Sequence, residues 1–153
     1  MEPHASRRSI RYQGHDYSTA GYYAITICTA GKAHLFGHIE EAFLTPSALG
    51  QLVQEELPEL PKHFPTTALD EWVIMPNHLH FILTLKKNQA VSIGQMVGAY
   101  KSQCFRKWRA QQLAQDLPAT PSFWQRNYYE HIIRNADELA GYRAYIRENP
   151  SRW

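Results

Sequence analysis

His78-Leu79-His80 sets two imidazoles one residue apart at the start of an apolar run, just after Met75-Pro76-Asn77. In a strand, alternate side chains leave the same face, so the two rings stand side by side while Leu79 turns away. Such a pair can bind one divalent ion through two neutral nitrogens. Two ligands are too few, and an oxygen donor must complete the set. Asn149 is the candidate, because it lies four residues after Tyr145 and residues at that spacing stack on one helical face. An ion held by His78, His80 and Asn149 therefore sits near the Tyr145 hydroxyl.

A histidine-held ion beside a tyrosine points to phosphodiester chemistry through a tyrosyl intermediate. A nuclease must polarise the scissile phosphate and neutralise charge that grows on its oxygens, and bound Mg²⁺ or Mn²⁺ can do both. Imidazole ligands lean the preference toward Mn²⁺ or a later transition metal, while abundance favours Mg²⁺. The phenol has an ordinary pKa of about 10, and a nearby cation favours its phenolate. Attack exchanges a phosphodiester for a phosphotyrosine of similar bond type, so a later DNA hydroxyl can reverse it.

Plainer roles compete with these. The histidines could be a hydrogen-bonded pair on a half-exposed strand, and Tyr145 a rim residue that covers the core. Glu138, about two helical turns before Tyr145, is a weaker oxygen donor because it also fits a capping role. His131 could orient DNA, assist proton transfer or fill a polar core position. Tyr128 and Tyr129 are rival nucleophiles, but neither has an asparagine at the matching helical offset. The other histidines (His4, His15, His34, His38 and His63) have no convincing partner by spacing.

The elements that must position these groups are legible from periodicity. Tyr22 to Cys28 reads as a first strand, rich in aromatic and β-branched residues. Thr45-Pro46 resembles a helix start, followed by a stripe of Leu49, Val53, Leu57 and Leu60 that Pro58 should bend. Strands over Ala68 to Met75 and His78 to Leu85 form a hairpin about Pro76-Asn77. Ser92 caps a helix with the stripe Ile93, Val97, Tyr100, Cys104 and Trp108. A fourth strand falls in Phe123 to Ile133, chiefly its second half. Asn135 and Glu138 read as a capping box for a last helix, with Leu139, Tyr142 and Ile146 as its stripe. Asn149-Pro150 should stop it, since a residue before proline is steered out of the helical region. The order predicts an α+β fold: a ferredoxin-like βαββαβ antiparallel sheet with an additional C-terminal helix that carries Tyr145.

Composition bounds the rest. At 153 residues the chain suits one core, with residues 1–19 a basic arm and 20–153 a single domain. No apolar run is long enough to span a membrane, and the start lacks a secretory apolar stretch, which points to the cytoplasm. Cys28 and Cys104 read as reduced, buried thiols. Net charge is only +2, yet basic residues cluster, an asymmetry that can place a basic groove on a nearly neutral protein. Arg7, Arg8, Arg11, Lys101, Arg126 and Arg134 are candidates for phosphate contact, and Trp124 for base stacking, with buried packing favoured slightly over it; Arg152 and Trp153 could touch DNA or fray.

At these residues the chain resembles the IS200-like tyrosine transposases, a single-tyrosine branch of the HUH nucleases, and within them the REP-associated group. Met75 to His80, Trp124 to Arg134 and Tyr145 to Pro150 carry the likeness, together with Arg8 to Arg11 and Ala20 to Tyr23. The resemblance implies cleavage of single-stranded DNA near repeat hairpins, leaving a 5′-phosphotyrosine and a free 3′-OH. It implies His78 and His80 as metal ligands, Tyr145 as nucleophile and Asn149 as third ligand. Insertion-sequence members of the family exchange the tyrosine helix in dimers, whereas the REP-associated group is mostly monomeric. The competing expectation is a hairpin-binding module that retains the fold without strand transfer.

Overall fold

A computed structural model describes residues 20–88, 90–118 and 120–153. The expected arm, with Arg7, Arg8 and Arg11, lies outside the described residues. Four strands form one antiparallel sheet: β1 (Gly21–Thr29), β4 (Thr67–Met75), β5 (His78–Leu85) and β6 (Trp124–Ile133). Their order is β4-β5-β1-β6, so β5 lies between β4 and β1, and β1 lies between β5 and β6. A second, two-stranded sheet of β2 (Gly37–Glu40) and β3 (Phe43–Pro46) precedes the first helix. The helices are α1 (Ala48–Glu56), the short α2 (Leu60–His63), α3 (Ile93–Ala114) and α4 (Ala136–Glu148).

Alternation along the strands divides the chain into two apolar layers. Tyr23, Ile25 and Ile27 of β1 and Leu79, Phe81, Leu83 and Leu85 of β5 join the main core, which α1 and α3 cover with Leu49, Leu52, Val53, Met96, Val97 and Tyr100. Ala24 and Ile82 face the other way, where Ile133 and Ile146 are buried with them and Val73, Leu139 and Tyr142 pack alongside. By the same alternation His78 and His80 stand on the α4 side of the sheet.

Local chemistry explains the element ends and corrects several expectations. Ser47, not Thr45, caps α1: its Oγ accepts from the Gly50 amide at 3.0 Å. Thr45 and Pro46 instead pair with His38 and Gly37, in a hairpin that short-range periodicity did not reveal. Gly50 is required there, since a Cβ would lie 2.0 Å from the Phe36 carbonyl oxygen. Pro58 breaks the helix as expected: α1 ends at Glu56, and a 3-10 turn over Leu57–Glu59 precedes α2. The fourth strand uses all of Trp124–Ile133 rather than its second half. Asn135 caps α4 through the Glu138 amide at 2.8 Å, but the Glu138 carboxylate reaches back one residue further than a capping box, accepting from the Arg134 amide at 3.1 Å. Asn149 keeps helical dihedrals (φ −55°, ψ −47°) despite the following proline, because the chain tightens there into a 3-10 turn over Asn149–Arg152. Cys28 and Cys104 are both buried and unpaired with each other.

The helix that carries Tyr145 is tied to the edge strand by charge as well as by packing. Arg143 donates two hydrogen bonds to Asp70 of β4, Nε to Oδ1 at 2.8 Å and Nη2 to Oδ2 at 2.7 Å. This paired geometry is the strong form of an ion pair. The Arg143 hydrogen bonds hold the Asp70 carboxyl below the usual carboxylate range. The clamp therefore stabilises the fold above an unfolded-state pKa of about 3.9, and its contribution is lost as pH falls through the lower folded value. We expect the melting-temperature advantage of wild type over Asp70→Asn to be constant near neutrality and to close on acidification below about pH 4. An advantage that widens with acid would refute the clamp.

Candidate active site

Four aromatic rings run in sequence across the α4 side of the sheet. His80 lies 4.6 Å from His78 between ring centroids, edge to face, and 5.4 Å from Tyr145. The Trp153 ring lies 6.3 Å from His78. The register positions the pair: His80 is opposite Thr26 and His78 opposite Cys28 on β1. The Pro76-Asn77 turn below them is held by neighbouring chain, with the Thr29 and Phe36 amides donating to the Asn77 and Pro76 carbonyls at 2.9 Å each.

Both imidazoles have one nitrogen committed and one left over. His80 Nδ1 lies 2.7 Å from Thr26 Oγ1, and His78 Nδ1 lies 2.6 Å from Asn77 Oδ1. An amide oxygen only accepts, so His78 donates from Nδ1 and presents the Nε2 lone pair; Thr26 can fix the same tautomer in His80. Burial pushes His78 down to about 4, helped by the Lys32 ammonium, and holds His80 well below the ordinary histidine value. Both rings are therefore neutral at pH 7, the form that ligates a metal.

Asn149 is buried at 8% exposure at the end of α4, four residues beyond Tyr145. Tyr145 itself is half-buried. The residue types fit a divalent cation in their chemistry: two imidazole nitrogens and one neutral amide oxygen. Among the described residues no cluster of three or more His, Cys, Asp or Glu could hold a metal ion. Partners that orient a ligating histidine commonly change metal affinity 10- to 100-fold. We expect Thr26→Val, which keeps shape and removes the hydroxyl, to weaken Mn²⁺ binding by roughly that factor in calorimetric titration. Unchanged affinity would remove Thr26 from the site.

The rival residues are sorted by the sheet. Tyr128 packs against the α1 and α3 core, on the wrong side. Tyr129 lies on the histidine side, opposite Thr26 in the same row as His80, and its buried hydroxyl has no hydrogen-bond partner. His131 also faces α4, but its Nε2 is 2.8 Å from Glu138 Oε1 and its ring 5.2 Å from Tyr142. Glu138 is thereby engaged with His131 and the Arg134 amide rather than with the histidine pair.

The expected DNA contacts divide in the same way. Lys101 donates to the Gln125 carbonyl at 2.8 Å and the Arg126 carbonyl at 3.2 Å, which makes it a tie between α3 and β6. Trp124 is buried at 7% exposure and donates its indole N–H to the Lys101 carbonyl at 3.0 Å. Its indole is thus committed to packing and to a backbone tie, the buried alternative that its sequence position also allowed. Arg126 is exposed, and with Lys101, Phe105 and Arg106 it lines an open groove of about 600 Å³ on the α3 side. Arg134 follows Ile133, which pairs with Tyr22, at the opposite end of the sheet from His78. Spacing missed Thr26, Lys32 and His34, which approach the histidines or Trp153 from elsewhere in the chain, whereas Arg152 and Trp153, open to either DNA contact or fraying by sequence, lie against Tyr145 and His78.

Residues 18–149 match the protein family described as Transposase IS200 like. The chain belongs to that family. The transposase is 35% identical, over 96% of its length and 89% of the other chain, to an uncharacterized protein of Haemophilus influenzae. It is 28% identical to a second protein of that organism, named "Putative REP-associated tyrosine transposase", over 88% of this chain and 73% of that one. Its fold is similar to that of a REP-associated tyrosine transposase solved bound to a REP hairpin, with a TM-score of 0.65 and 20% identity over 94% of this chain and 74% of that one. Family membership makes this transposase an enzyme that nicks and rejoins DNA. Among the described residues no helix is long and apolar enough to cross a membrane.

Proposed function

We propose that the transposase cleaves and rejoins single-stranded DNA beside a repeat hairpin, through a covalent 5′-phosphotyrosine on Tyr145. The observation that carries this reading is the 5.4 Å approach of the Tyr145 ring to His80 within one chain. No exchange of helices between subunits is needed to assemble such a site, which favours a monomer as the working unit. The hairpin substrate is supported by the similar fold solved on a REP hairpin.

In this mechanism His78, His80 and Asn149 would hold Mg²⁺ or Mn²⁺, and the ion would supply charge neutralisation at the scissile phosphate. Thr26 and Asn77 keep the two Nε2 lone pairs directed outward. Tyr145 Oη loses its proton to solvent and attacks phosphorus; the P–O3′ bond breaks, and the departing O3′ takes up a proton. The product is a 5′-phosphotyrosine and a free 3′-OH. Rejoining runs the same exchange backwards, with an incoming 3′-OH displacing the phenol. Lys32 borders the pair and Arg152 the phenol, and both suit phosphate contact; Arg7, Arg8 and Arg11 are candidates for the same role by residue type alone. Arg126 serves DNA that continues onto the α3 side, whereas Lys101, Trp124 and His131 act as structural ties and Arg134 lies too far along the sheet.

The test incubates the protein with end-labelled single-stranded hairpin oligonucleotides and either metal. A protein–DNA adduct that survives denaturant is the expected result. Binding without an adduct under every metal condition would replace the enzyme reading with that of a hairpin-binding module.

A further inference from the structure

We propose that Trp153 is a base-stacking platform that receives the unpaired nucleotide adjoining the scissile phosphate, with His34 as its buttress. The inference rests on the single-stranded DNA reading above and adds to it a positioning residue with a defined kind of contact.

Trp153 is 51% exposed, yet two rings hold it. His34 meets it edge to face at 5.2 Å between centroids and 62° between planes, and His78 lies at 6.3 Å and 38°. These contacts fix the indole's orientation while leaving half its surface to water. A large aromatic left so exposed forgoes burial that would stabilise the fold, and base stacking is the contact that such a surface can make without hydrogen-bond specificity.

The position is built. The turn that leads to Trp153 is closed by Ser151 Oγ donating to the Glu148 carbonyl at 2.7 Å, and by the Arg152 guanidinium on Glu148 Oε2 at 2.9 Å. That turn begins with Asn149, so the oxygen donor and the platform are carried by the same four residues. Arg152 holds its guanidinium carbon 6.0 Å from the Tyr145 ring centroid. The nucleophile therefore stands against His80 and the platform against His78, each on a different ring of the pair. A phosphate at the pair has the phenol beside one ring and a stacking surface beside the other, toward which a neighbouring nucleotide's base can extend. Trp72 and Phe43 are also exposed, but neither has a ring contact to the histidines.

The experiment places 2-aminopurine at each unpaired position of a hairpin oligonucleotide in turn and records its fluorescence on binding with Mn²⁺. Quenching at a position beside the cleavage point is expected with wild type, retained with Trp153→Phe and lost with Trp153→Leu. Alanine-scale stacking losses predict that Trp153→Leu raises KM for adduct formation roughly 5- to 150-fold. Its rate at saturating DNA should change less than about threefold, the pattern of lost binding rather than lost chemistry. His34→Ala should give an intermediate rise in KM. A wild-type adduct together with undiminished quenching in Trp153→Leu would overturn the platform alone, as would a Trp153→Leu rate that saturating DNA does not restore. Absence of any adduct from wild-type protein would overturn the nuclease reading and this inference with it.

Discussion

Tyr145→Phe should abolish the covalent adduct, lowering the rate of strand cleavage by about 10⁴-fold or more, or at least about 5 kcal/mol of transition-state stabilisation. The loss is large because phenylalanine leaves no oxygen to attack phosphorus, and covalent transfer has no alternative first step. The ring that packs edge-on against His80 is retained, so the fold should persist, as thermal melting checks. DNA binding should persist, since the phosphate and base contacts lie on other residues. Tyr129 supplies the internal control. It is a second phenol on the same face, so Tyr129→Phe should leave the adduct intact, and removal of its unpartnered hydroxyl should be neutral or mildly stabilising. Denaturing electrophoresis of labelled DNA reads all of these outcomes. An adduct that persists in Tyr145→Phe and disappears in Tyr129→Phe would transfer the nucleophile's role to β6.

The second large effect falls on His80. His80→Ala removes the more buried of the two imidazoles and leaves the Thr26 hydroxyl without its partner at 2.7 Å. Loss of a direct ligand should exceed the 10- to 100-fold seen when a ligand's partner is removed, so Mn²⁺ affinity should fall by more than about 100-fold. Adduct formation should fall with it and recover only in part at high metal concentration. Because the site is interior, His80→Gln is the companion variant: it fills the space and keeps a polar group, separating loss of ligation from loss of packing. Calorimetric Mn²⁺ titration, with thermal melting of each metal-free variant as the folding control, distinguishes the two. Wild-type Mn²⁺ affinity in either variant would end the metal assignment, whatever the effect on cleavage.

These expectations rest on features that were legible to very different degrees. The faces of β1 and β5 follow directly from residue alternation: Leu79, Phe81, Leu83 and Leu85 point into one core, leaving His78 and His80 for the other side. The Ser92 and Asn135 caps and the Leu139–Tyr142–Ile146 stripe are equally local, since each is set by a hydrogen bond or a helical period within a few residues. The β2–β3 hairpin was hidden because a four-residue strand carries too short a pattern, and Thr45-Pro46 also satisfies the rules for a helix start. Lys101 and Trp124 resemble DNA contacts by residue type, but Trp124 donates to the Lys101 carbonyl and Lys101 to those of Gln125 and Arg126, which sequence spacing does not report.

Local pattern alone specifies the four strands of the main sheet and the helices between and after them, the shared face of the two histidines and the helical offset between Tyr145 and Asn149. These depend on strand and helix periods and on caps, which act over a handful of residues. Tertiary folding alone brings Thr26 Oγ1 to His80 Nδ1, ties the tyrosine helix to Asp70 through Arg143, and sets His34 against Trp153 beside His78. Those pairings join segments 54, 73 and well over a hundred residues apart. They follow from the β4-β5-β1-β6 order and from its register, because burying both faces of one sheet leaves α4 a single apolar strip on which to lie.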